Sequence, residues 1–214
     1  LWFWHINSND IPKKIFKETF KFGLGYFAIS LIWIVEPFLV EPWNHGWIAP
    51  IALIALPSFL ALIWALFGFL GHYYLSSIGL VLGLSLAEYC RLYLLTGFPW
   101  ATISYVLLDT KAEKWLSLLG PYGLSLFLLF TCFIIAFTFQ NRKKINAFLA
   151  ISAICILFFV PHFFGKENSQ SLSFSVRLIQ PNAVQEKKWS EEFAPIYFEK
   201  MVKMTAQQPK TDII

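Results

Sequence analysis

The stretch IAPIALIALPSFLALIWALFGFLG, residues Ile48 to Gly71, decides the fold. It carries no Asp, Glu, Lys or Arg. Wound as an α-helix at about 1.5 Å per residue, it is long enough to cross the ~30 Å hydrocarbon core of a bilayer. Pro50 sits in its first turn, where a missing N–H does no harm. Pro57 is internal and predicts a kink.

Working outward, similar segments repeat. Upstream, Phe20 to Val35 is almost wholly apolar, and Phe38 to Val40 extend it to spanning length. Between the two lies an acidic, aromatic, proline-rich turn made by Glu36, Pro37, Glu41, Pro42, Trp43 and Trp47, and tryptophan at such a boundary fits an interfacial belt. Downstream, His72, Tyr73 and Tyr74 mark the next interface, and a third span runs from Leu75 to Leu95. Ala101 to Leu108 is apolar but too short to cross, and Asp109 to Lys114 is charged. This stretch reads as re-entrant or as lying along the interface. A fourth span covers Trp115 to Phe139, and a fifth Ala147 to Phe164. Residues 1–165 therefore read as a helical membrane domain of about five spans.

Composition agrees. Hydrophobic residues make up 57% of the 214 and charged residues 14%, against about 25% charged in soluble domains. The net charge of +4 is modest and lies in short clusters, so no nucleic-acid partner is expected. Cys90, Cys132 and Cys155 all sit in apolar runs without disulfide or metal spacing, and His45, His72 and His162 read as interfacial residues without metal-ligand partners. No signal peptide is recognisable, and Leu1 and Ile214 both read as cut points.

Charge gives the spans a direction. Cytoplasmic loops are enriched in Lys and Arg. The cluster Lys13, Lys14, Lys17 and Lys21 precedes the first span, and Arg142, Lys143 and Lys144 precede the fifth. Four crossings separate the clusters, so both fall on one side, and everything after the fifth span falls on the other.

That last part changes character. Lys166 to Ser171 is a polar linker. Leu172, Phe174, Val176 and Leu178 alternate with polar residues, as in a strand with one buried face. Ser190 is a suitable N-cap, followed by Glu191 and Glu192 in the first turn. Phe193, Ile196, Tyr197, Met201 and Met204 keep helical spacing up to Pro209, and Asp212 to Ile214 open a second strand. Strand, helix, strand is the start of an α/β domain over residues 172–214, too little to bury its own core.

Two features could carry chemistry. Glu88 and Arg91, three residues apart, share a face of the third span. A lone charge there costs several kcal/mol, and pairing reduces the cost. The pair is either a polar anchor beneath a substrate-binding mouth or an interhelical ion pair that fixes packing. Directly after it comes Thr96-Gly97-Phe98-Pro99-Trp100, in which Gly97 permits a positive φ and Trp100 suits headgroup depth. Trp189, after Lys187 and Lys188, lies in the loop before the soluble helix and either faces the membrane surface or caps the helix entry. No serine or cysteine stands beside a credible base, so these residues alone support no catalytic centre.

The order of these motifs resembles the bacterial apolipoprotein N-acyltransferases. Glu88-Tyr89-Cys90-Arg91 running into Leu95-Thr96-Gly97-Phe98-Pro99-Trp100 is similar to the family's E-x-x-R…TGFPW. Gly120-Pro121-Tyr122-Gly123-Leu124-Ser125 looks like its G-x-Y-G helix start. Val176 to Gln180, Asn182, Gln185, Lys188 and Trp189 resemble its V-x-[LV]-[VI]-Q-x-N strand and following Q-x-x-K-W, and Glu36 to Val40 a periplasmic loop of some members.

The resemblance implies a multi-pass inner-membrane enzyme whose nitrilase-like (carbon–nitrogen hydrolase, αββα) domain is periplasmic. It implies acyl transfer from a phospholipid donor to the diacylglyceryl-cysteine of an apolipoprotein acceptor, through a cysteine thioester and with no metal or diffusible cofactor. By that pattern the Glu, Lys and Cys of the reaction would lie beyond Ile214, about two helices would precede Leu1, and the chain alone would be inactive. Trp189 matches a tryptophan implicated in activity, and Glu88, Arg91, Gly97, Pro99 and Trp100 match the periplasmic mouth. Two other readings stay open: another membrane transferase on the same scaffold, and a small transporter using Glu88 and Arg91.

Overall fold

The structure is a computed structural model that describes residues 11–95, 97–140, 144–163, 174–184, 187–188, 190–208 and 212–213. Its first helix, α1, spans Pro12–Ser30 and begins earlier than the apolar run, so the lysine cluster lies on its first turns. Pro12 opens it at the position where proline's fixed φ helps. Ile15, Thr19, Gly23, Phe27 and Leu31 form a buried stripe at intervals of four, which turns one face of α1 toward the core. After Ser30 the chain bends by 60° into the short helical pieces of Ile32–Leu39. Two further short turns, Pro42–His45 and Gly46–Ile48, lead into the next helix.

Helix α2 covers Ala49–Cys90 but is not one rod. Leu75 (φ −131°, ψ 17°) and Ser76 (φ 54°, ψ −142°) leave helical geometry, and there the chain reverses. In a straight helix Trp64 and Glu88 would lie about 36 Å apart, yet their side chains meet at 2.9 Å. The two arms pack through glycine. A Cβ built on Gly79 would lie 1.9 Å from the carbonyl oxygen of Gly71, and one on Gly83 would lie 2.2 Å from that of Phe67. Only backbone fits between the arms, the close packing typical of small residues in membrane helices. The predicted break at His72–Tyr74 is thus this reversal. Pro57 lies within the first arm, and the departure from helical geometry comes at Leu75 and Ser76 instead.

Helix α3, Trp115–Gln140, has its own break at Gly120 (φ 65°), so its regular part starts at Pro121. Between α2 and α3, Ile103–Leu107 and Lys111–Lys114 form short 3-10 turns, consistent with a stretch that does not cross. Helix α4, Lys144–Phe159, runs on into a 3-10 turn at Val160–Phe163. The Trp115 indole donates to the Leu157 carbonyl at 3.0 Å and ties the start of α3 to the end of α4.

The main core lies where α1 meets the α2 hairpin, around Phe27, Trp64, Leu80 and Leu84, and a smaller one joins Leu107, Leu124 and Leu157. By length and composition, two helical units can cross a membrane, Pro42–Cys90 and Lys111–Gln140. The bent pair Lys13–Ser30 with Ile32–Leu39 makes a third, and Ile145–Phe159 is apolar but shorter. The hairpin explains why one unit covers two of the spans expected from sequence.

His72 corrects an expectation. It lies three residues before the reversal of the hairpin and is 5% exposed, buried among protein atoms rather than open at the surface.

In the last segment, α5 spans Ala194–Thr205. Ser190 does use its hydroxyl to accept from the Phe193 N–H at 3.3 Å, but it caps the turn ahead of α5 rather than the helix itself. Pro195 occupies the helix's first turn, where its ring is tolerated. The two segments expected as strands meet in a single parallel bridge between Val176 and Ile213. Ile213 N–H donates to Ser175 at 3.2 Å and Arg177 N–H to Ile213 at 3.0 Å. Among the described residues there is no longer strand, and Leu172 and the Lys166–Ser171 linker lie outside them.

Candidate functional site

The end of the second α2 arm and the turn after it build a buried polar centre. Glu88 and Arg91 are each 1% exposed. Arg91 Nη2 stands 2.8 Å from Glu88 Oε1, off the axis of a good hydrogen bond, so the contact is chiefly ionic. The carboxylate is further satisfied by the Trp64 indole N–H at 2.9 Å and by the Ile103 backbone N–H at 3.2 Å. Arg91 Nη1 donates to the Trp100 carbonyl at 3.3 Å, and its guanidinium carbon lies 4.9 Å from the centre of the Phe27 ring. A charge pair removed from water is tolerable only with such additional partners.

The pair holds the following turn. Phe98 N–H donates to the Arg91 carbonyl at 2.9 Å, and the Thr102 hydroxyl to the Pro99 carbonyl at 2.7 Å. Gly97 has φ 82°, and a Cβ there would come within 2.4 Å of the Leu92 carbonyl oxygen, so glycine is required twice over. Leu95 and Ala101 also take positive φ, at 56° and 55°, which for side-chain-bearing residues is strained backbone. The Tyr26 hydroxyl donates to the Ala101 carbonyl at 3.3 Å. Trp100 is 55% exposed and packs edge-to-face on Trp33, with centroids 5.9 Å apart. The turn thus leans on α1, both arms of α2 and the segment after Ser30.

Glu88, Arg91, Gly97, Pro99 and Trp100 are therefore brought together as one unit. Thr96 and Trp189 lie outside the described residues. Sequence reasoning missed Trp64 and Ile103 as partners, because both lie far away in the chain. One signal was present: an indole N–H in a wholly apolar run needs an acceptor. The centre is buried and tied to the turn, while Arg91 Nε and Nη2 have no hydrogen-bond acceptor among the described residues. Among the described residues no group of His, Cys, Asp or Glu could hold a metal, and all three cysteines are free.

The comparisons with known proteins fit this arrangement. The apolipoprotein N-acyltransferase N-terminal domain matches residues 1–134. The apolipoprotein N-acyltransferase of Brucella suis is 28% identical over 199 residues, covering 88% of this chain and 37% of its own length. That of Caulobacter vibrioides is 31% identical over 196 residues, covering 86% and 36%. That of Rhodopseudomonas palustris is 37% identical over 111 residues, covering 49% and 21%. The chain spans less than half the length of these curated relatives. With its helical membrane unit and the matched residues including the Glu88–Trp100 centre, the chain belongs to the apolipoprotein N-acyltransferase family.

Proposed function

We propose that this chain is the membrane part, with the beginning of the periplasmic domain, of an enzyme that moves an acyl chain from a phospholipid to the diacylglyceryl-cysteine of apolipoproteins. The observation that carries the reading is the family match over residues 1–134. In the proposed reaction a cysteine thiolate attacks the phospholipid ester, forming a thioester and releasing a lysophospholipid. The lipoprotein α-amine then attacks the thioester, forming the amide and freeing the thiol. The Glu, Lys and Cys of this chemistry would belong to a nitrilase-like domain that residues 172–214 begin. The parallel Val176–Ile213 bridge beside α5 supports that reading of the segment. Here Glu88 and Arg91 act by holding Gly97, Pro99 and Trp100 as a mouth for lipid, and Trp189 stands by the acyl-transfer site.

In the same proposal the chain crosses the inner membrane five times, with both basic clusters cytoplasmic and residues after Phe164 periplasmic. The charge parity of the two clusters supports it. Reporter fusions at Gln140 and Lys166 should report opposite compartments, and the same compartment would refute the topology.

Activity is tested with a phospholipid donor and a diacylglyceryl lipopeptide, read by mass spectrometry. The chain joined to the remaining length of a curated relative should add one acyl group, while the chain alone should add none. Turnover by the chain alone would overturn the thioester assignment. An inactive fusion, with the relative itself active in parallel, would overturn the acyltransferase reading of this membrane part.

A further inference from the structure

Lys13, Lys14, Lys17 and Lys21 stand on the first turns of α1, and all are exposed. At about 100° of rotation per residue, the four fall within a single sector of the helix about 100° wide. The buried stripe Ile15, Thr19 and Gly23 lies on the opposite side, packed on the α2 hairpin. The lysine sector therefore turns away from protein, toward lipid or water. Little counter-charge comes from the fold. The first turn of α1 holds no acid, Glu18 pairs with Lys21 at 2.9 Å, and among the described residues Lys13 and Lys17 have no acidic partner.

The depth of the sector is also set. Gly23 packs against Ala61 and Thr19 against Gly68. Earlier residues of α1 thus meet later residues of the first α2 arm, and the start of α1 stands beside that arm's end. Tyr73 and Tyr74, at that end, are 62% and 74% exposed. Tyrosine suits the headgroup layer of a bilayer. Lys21 lies just inside the apolar run, and its stem can carry the ammonium back to the same layer.

We infer that this face of α1 is a docking surface for the anionic phospholipid headgroups of the leaflet in which α1 begins. Charge complementarity and spacing select the occupant. Lys13 and Lys21 are separated by ~12 Å along the helix axis, too far for one small anion to serve both, whereas neighbouring headgroups present phosphates along the whole row. The inference needs neither acyl transfer nor a compartment for either end of the chain, so its test needs no turnover.

The test uses the chain with isotope-labelled lysine ε-carbons in phosphatidylcholine bicelles, titrated with phosphatidylglycerol and followed by NMR. The Lys13, Lys14, Lys17 and Lys21 signals should shift and saturate at a lower phosphatidylglycerol fraction than those of Lys111 and Lys114, exposed lysines in the turn after α2. Lys13→Gln combined with Lys17→Gln should raise the midpoint at Lys14 and Lys21 by about fivefold for each lysine removed. Lys17→Gln with Lys21→Gln, read at Lys13 and Lys14, serves if the first pair does not fold. Glu18→Gln removes the opposing charge and should lower the midpoint, a gain that misfolding does not produce. High salt should raise it, since these charges are open to screening. Shifts no stronger than at Lys111 and Lys114, or a midpoint unmoved in a folded double variant, would overturn the inference. So would equal shifts with inorganic phosphate in pure phosphatidylcholine, which would make the sector a site for free anions instead.

Discussion

The Trp64 indole donates to the Glu88 carboxylate, 24 residues further along the chain, at 2.9 Å, and this bond closes the α2 hairpin over its polar centre. It joins a residue from the middle of one arm to the last turn of the other. Through Glu88 and Arg91 it reaches the Gly97–Trp100 turn, so helix packing and the shape of that turn are one structural problem.

Breaking this centre should be costly. Glu88→Ala leaves Arg91 buried without its counter-charge, an expected loss of about 3–5 kcal/mol. Glu88→Gln keeps an acceptor for the Trp64 and Ile103 N–H groups and should lose less. Thermal unfolding in detergent measures both, and Glu88→Ala paired with Arg91→Met should recover part of the loss. Equal melting temperatures for wild type and Glu88→Ala would contradict the role given to the pair.

The hairpin depends on the absence of side chains at its crossing. Gly79→Ala places a methyl 1.9 Å from the Gly71 carbonyl oxygen and should force the arms apart. A well-folded yield after size exclusion should fall sharply. Gly25→Ala is the control: nothing lies within 4 Å of its Cβ, and alanine in a helix should be worth about 0.5–1 kcal/mol over glycine. If both variants behave alike, the arms do not pack as described.

Ser125 supports the site from α3. Its hydroxyl accepts from the Ser104 backbone N–H at 3.1 Å, with both residues fully buried. Ser125→Ala should leave that N–H unpaired, at about 1–3 kcal/mol. Hydrogen exchange at Ser104 should accelerate in the variant, and unchanged protection would show that another acceptor serves.

Asp212 predicts a pH effect in the last segment. Its carboxylate accepts from the Ser175 backbone N–H at 2.7 Å and hydroxyl at 2.9 Å, and these bonds hold it below a carboxyl's ordinary 3.8. A lowered value means the ionised form favours the Val176–Ile213 pairing. That contribution is present above pH 3.8 and is lost as pH falls through the lowered value. An NMR titration of the Asp212 carboxyl should show a midpoint below 3.8, moving upward in Ser175→Ala. A midpoint at or above 3.8 in the native chain would count against the contact.

Much of this protein is written locally. The uncharged run from Ile48 to Gly71, the basic clusters and the interfacial tryptophans set membrane helices, because hydrocarbon accepts apolar side chains and internally bonded backbone and little else. Gly97 in its turn was also legible, since few residues other than glycine take positive φ readily, whereas the break at Gly120 in α3 was not read from the sequence. Pairing was not legible at the same level. Nothing near Glu88 in sequence names Trp64 or Ile103, and the polar character of His72 concealed that the hairpin would bury it.

The sequence by itself determined that helices form, roughly where they start and stop, and that Glu88 and Arg91 share a face. Tertiary structure alone decided that α2 doubles back at Ser76 and that Trp64 and Ile103 complete the Glu88 shell. The physical reason is one of range. Helix formation depends on residues within a turn or two, whereas the reversal and its polar centre depend on contacts between arms that meet only after the chain has folded.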